Sequence, residues 1–85
     1  MVKYEQMFLF GGVLMEKIIK RAVRTGEKIE IIYLSKDHRL SQRVIKIVAI
    51  TDQTVKAYCY SRRKWRTFML ENILSAVPVR DGIGA

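Results

Sequence analysis

QRVIKIVAITDQTVKAYCY, residues 42–60, decides the fold. Two runs rich in β-branched and aromatic residues, with polar and apolar positions spaced by two, stand either side of Thr51-Asp52-Gln53. That pattern is a strand, a tight turn and a returning strand. Outward from it the same period continues. KIEIIYL (28–34) lies upstream, beyond the polar break SKDHRLS, while WRTFML (65–70) and LSAVPV (74–79) follow the breaks SRRK and Glu71-Asn72-Ile73. The reading is five strands: Lys28 to Leu34, Gln42 to Ile50, Thr54 to Tyr60, Trp65 to Leu70 and Leu74 to Val79. Pro78 fits only near a sheet edge or a strand end, because it cannot donate to a ladder.

Ahead of the strands the period is helical. Leu14, Ile18, Ile19, Ala22 and Val23 recur on one face of Val13 to Thr25, with Glu16, Lys17, Lys20, Arg21 and Arg24 between them, which predicts an amphipathic helix. Gly26 stands where a left-handed residue ends such a helix. Five short antiparallel strands with tight turns predict a mainly β domain, a small five-stranded SH3/Sm-like barrel preceded by this helix, since closure removes exposed edges.

Length and charge bound the rest. The chain has 85 residues, 49% of them apolar and 28% charged, a balance that supports a single packed core. The expected division is a 1–12 extension, one domain over 13–80 and an 81–85 tail. Sixteen Lys and Arg against eight Asp and Glu give a formal charge of +8, a field that attracts polyanions, nucleic acid first among them. Cys59 and His38 are the sole cysteine and histidine, too few for a disulfide or a zinc site. No cofactor is expected, and no set of nucleophile, acid and base occurs at useful spacing, so the chain is not read as an enzyme. Met7 to Met15, MFLFGGVLM, is too short to span a bilayer and lacks a cleavage site after it. The expected setting is the cytoplasm, with no membrane partner.

Val55 to Ile73 carries the richest chemistry. If Tyr60 pairs with Trp65 across Ser61-Arg62-Arg63-Lys64, then Tyr58 faces Thr67 and Lys56 faces Met69 on an aromatic and basic side of the sheet. Rings beside a row of cations suit single-stranded nucleic acid, because bases stack while cations follow the phosphates. Tyr58, Arg62, Arg63, Lys64 and Trp65 are the candidates, with a solvated turn over buried aromatics as the alternative. Cys59, Ala57 and Val55 then share the core side with Arg66, Phe68 and Leu70. Arg66 needs an acceptor there, either internal, such as Glu71 or Asp52, or an external phosphate or carboxylate. Arg43 would supply the second arm of the same fork.

The succession Lys28 to Tyr33 (KIEIIY), Arg43-Val44-Ile45, Ala57-Tyr58-Cys59, and Arg66-Thr67-Phe68 followed by Glu71-Asn72-Ile73 resembles the WYL domain family over roughly Leu14 to Val79. The resemblance implies an Sm-like or SH3-like barrel of the kind found in bacterial transcription regulators, sensing nucleic acids or nucleotides in a basic cleft. It places Tyr33, Arg43 and Arg66 at the family's motif tyrosine and arginines. The triplet that names the family falls on Gln53-Thr54-Val55, Asn72 stands where an arginine is common, and Ile47 where a proline is usual. No helix-turn-helix precedes the barrel here, so promoter binding in the manner of two-domain relatives is not expected. The overall expectation is a regulatory module that binds nucleic acid, single strands ahead of duplex, or a nucleotide. The alternative is a protein-interaction module that self-assembles through Met7 to Leu14, where Met7, Phe8, Leu9 and Phe10 cluster.

Overall fold

A computed structural model describes residues 13–79. Helix α1 spans Val13–Thr25 and ends as its sequence predicts. Gly26 takes φ +75° and donates its N–H to the Ala22 carbonyl at 2.9 Å, so a residue without Cβ closes the last turn. The strands are β1 (Ile29–Leu34), β2 (Leu40–Ile50), β3 (Thr54–Cys59), β4 (Lys64–Met69) and β5 (Ile73–Pro78), with a 3-10 turn over Leu70–Asn72 between the last two.

All pairings are antiparallel, in the order β4-β3-β2-β1-β5. The expectation of a mainly β domain with one leading helix is met. Closure is not: among the described residues β4 and β5 do not pair, and the sheet keeps two edges. The turn at Leu70–Asn72 carries the chain away from β4, and β5 docks on β1 instead. Pro78 accordingly ends an edge strand, where its missing donor does no harm.

The open sheet is nevertheless curled. Tyr33 on β1 accepts the Met69 N–H of β4 on its hydroxyl at 3.0 Å, although β2 and β3 lie between those strands. A flat sheet would hold the two strands about 14 Å apart, beyond the reach of a tyrosine standing on it. Register shifts at Ile47/Ala49 and Ile32/Tyr33 supply the bend, since an extra residue on one strand increases local twist. The concave side is the core. Ile29, Ile31, Ile45, Ile47, Val55, Ala57, Cys59, Phe68, Ile73 and Ala76 line it, and Ile19 and Ala22 of α1 cover it, with α1 packed against β2 and β5. Cys59 is a fully buried thiol.

Candidate anion-binding site

Alternation along β2 turns Arg43 inward in line with Ile45 and Ile47, opposite Ile31 of β1. Its residue is only 7% exposed. Two contacts and one unmet donor describe the guanidinium. Nε donates to Ser41 Oγ at 3.0 Å, Cζ stands 5.6 Å from the centroid of the Phe68 ring, and Nη1 is buried without a hydrogen-bond partner. Ser41, two residues back on the same strand, shares the inner face, so a short hydroxyl meets the one nitrogen nearest the backbone. Phe68 is itself held by Tyr33, whose ring meets it edge-on at 4.9 Å and 75°. An arginine Nη1 left without an acceptor costs more than a net hydrogen bond returns, because its water has been stripped and nothing replaces it. Among the described residues no carboxylate pairs with this cation.

Arg66 belongs to the same face. It is the cross-strand partner of buried Ala57 and stands two residues before Phe68 on β4. Among the described residues it makes no hydrogen bond or ion pair, so no internal acceptor is seen to hold it. Asp52 lies in the β2–β3 turn, exposed. Tyr33 and Arg43 thus meet at Phe68, while Arg66 stands two residues from Phe68 on the same face of β4.

The other candidates lie elsewhere. The β3–β4 hairpin pairs Tyr58 with Trp65, Lys56 with Thr67 and Cys59 with Lys64, so the register differs by two residues from the one the sequence suggested. The connection is Tyr60-Ser61-Arg62-Arg63, equal in length to the expected turn of Ser61 to Lys64 but one residue earlier in the chain, and Arg63 takes φ 55° within it. Ser61 explains the difference: its Oγ accepts the Val44 N–H at 3.0 Å, and the Tyr60 N–H donates to the Val44 carbonyl, which holds this stretch to β2 rather than to β4. A shift of two keeps every side chain on its face. Tyr58 and Trp65 thus lie on the convex side, opposite Arg43 and Arg66. Lys64 opens β4 on the concave side, exposed, and Arg62 and Arg63 project from the turn.

Sequence reasoning missed Ser41 and Phe68 as partners of Arg43. Parity could have offered Ser41, two residues away, whereas the Phe68 contact arises from the curl and has no local signal. Among the described residues no cluster of His, Cys, Asp or Glu suits a metal, and no described helix is long and apolar enough to cross a membrane. Of the segment expected to self-assemble, Met7 to Leu14, residues 7–12 lie outside the described residues, and Leu14 at the start of α1 is exposed.

No family model matches the chain, and no curated protein matches it. Among solved structures it is similar to proteasome accessory factor B/C (PafBC) of Arthrobacter aurescens, with a TM-score of 0.67 and 23% identity over 82% of this chain. The match takes in 11% of the PafBC chain. At that identity the likeness is one of fold.

Proposed function

We propose that the chain is a regulatory module that senses a phosphate-bearing ligand, a nucleotide or a single strand of nucleic acid, on the concave face of its sheet. One observation carries the reading: Arg43 is buried with Nη1 unpartnered. Arg66 on the same face adds a second guanidinium, and two such forks match the oxygens of a phosphate better than ammonium groups do. The +8 charge draws polyanions to the surface from a distance. The resemblance to the WYL family implies a ligand cleft at Tyr33, Arg43 and Arg66, and the fold likeness to part of PafBC, by name an accessory factor, suits a module that serves a larger assembly.

The test is a titration of the chain with a mononucleotide, single-stranded DNA, single-stranded RNA and duplex DNA at two salt concentrations. A single strand should bind, with log affinity falling against log salt by about 0.7 per phosphate contact, and Arg66→Ala should weaken mononucleotide binding. Absence of binding by all four at low salt refutes the proposal and favours a protein-interaction module.

A further inference from the structure

The convex face of the sheet carries an arrangement that the concave site does not use. Lys46 on β2, Tyr58 on β3 and Trp65 on β4 form one cross-strand row. Tyr60 follows on the same side, two residues beyond Tyr58. The Tyr58 ring meets Tyr60 edge-on at 5.1 Å and 77°, and Trp65 edge-on at 5.3 Å and 77°. Lys28 sets its Nζ 4.6 Å from the centroid of Tyr60. Lys56, exposed, extends the face next to Tyr58.

Cross-strand pairing accounts for the Tyr58–Trp65 contact, because aromatic neighbours stabilise a hairpin. It does not account for Trp65 left 59% exposed and Tyr60 left 37% exposed on the two sides of Tyr58. Large rings facing water amid cations have more surface to offer than the hairpin consumes. The strands carry a single carboxylate, Glu30, which also lies on this face, so the charge of the row from Lys28 to Lys56 is otherwise unopposed by strand residues.

We propose that this convex face is a second, separate site, a stacking platform for single-stranded nucleic acid: bases lie on Trp65 and Tyr60 while Lys46, Lys56, Arg62 and Arg63 meet the phosphates. Tyr58 positions the two outer rings by meeting both edge-on. Duplex DNA is a poor occupant because its base faces are already stacked. A polymer of acidic side chains alone matches the charge but has no flat rings to present to Trp65. The site stands independently of the concave one, since the two lie on opposite faces of one sheet.

Trp65 is the sole tryptophan, so fluorescence excited at the red edge, where tyrosine does not absorb, reports this face alone. The experiment titrates the full chain at low salt with oligothymidylate of about ten nucleotides, within the span such grooves cover, with an abasic strand of equal length, and with polyglutamate. Oligothymidylate should quench Trp65 and the other two should not. Measured with a labelled strand, Trp65→Ala should weaken binding roughly 5- to 150-fold, the range that one stacked base represents, and Trp65→Phe should restore most of it. Equal quenching by the abasic strand or polyglutamate would overturn the proposal, as would unchanged strand affinity in Trp65→Ala. Arg43→Met should keep the quench, and its loss there would place the strand in the concave site instead. Failure of mononucleotide binding at Arg43 and Arg66, with the quench intact, would refute only the concave reading.

Discussion

Replacing Arg43 with Met separates a structural arginine from a ligand-binding one. The substitution removes the charged hydrogen bond to Ser41 Oγ, worth about 1.5 to 3 kcal/mol, and the stacking over Phe68, worth about 0.5 to 2 kcal/mol. Against these it removes a buried nitrogen without a partner, which costs about 1 to 3 kcal/mol, and part of the penalty for burying an ion, which is several kcal/mol. The methionine stem keeps the apolar contacts with Phe68. The opposing terms nearly cancel, so the free variant should lie within about 1 kcal/mol of the parent, a Tm change of no more than about 8 °C for a domain of this size. Thermal melts with and without a mononucleotide read both halves of the claim. At about 100 times its Kd the ligand should stabilise the parent by about 2.7 kcal/mol and leave the variant where it was. A loss of about 3 kcal/mol or more in the free variant would refute the reasoning, because it would mean that the fold itself depends on the guanidinium.

Arg66→Ala should likewise leave the free protein's urea midpoint nearly unchanged while lowering mononucleotide affinity, and Arg66→Lys should recover only part, since an ammonium keeps the charge without the paired hydrogen bonds. A destabilised Arg66→Ala that still binds would contradict this. Tyr33→Phe strips the Met69 N–H of its acceptor and should cost about 1 to 3 kcal/mol in urea unfolding, with hydrogen exchange at Met69 accelerating; unchanged protection there would show that the bond does not hold β4 to β1. Gly26→Ala should cost about 1 to 2 kcal/mol through its φ of +75°, because the added Cβ would meet Lys46 Cε at an ordinary 3.5 Å. A neutral effect on Tm would exclude backbone strain as the reason for glycine at that position.

Much of this architecture is legible along the chain. The helix is bounded as its apolar spacing and Gly26 indicate, and the five strands fall within a few residues of the period-two runs. Face assignment is robust for a physical reason: in the β3–β4 hairpin the register shifts by two residues, which moves every pairing but no side chain across the sheet. The shift itself was hidden because Ser61 bonds to Val44, a partner on another strand. Closure was not legible either. It depends on where β5 docks after Leu70–Asn72, and alternation says nothing of that. The candidate site divides in the same way. Arg66 stands out by sequence as a cation on an apolar face, and the WYL resemblance names Tyr33 and Arg43 with it. What brings Tyr33 and Arg43 to Phe68 is the curl, expressed in the Tyr33 to Met69 bond across 36 residues, a distance over which local pattern carries no information.

The most direct test of the central claim observes the arginine itself. In a ¹⁵N-labelled sample, the Arg43 Nε–Hε resonance is held by Ser41 Oγ and lies beside Phe68. Titration with a mononucleotide should shift that resonance together with the ring protons of Phe68 and Tyr33, and should sharpen an Nη signal that has no hydrogen-bond partner in the free protein. Saturable binding that leaves the Arg43, Phe68 and Tyr33 signals unmoved would contradict the account.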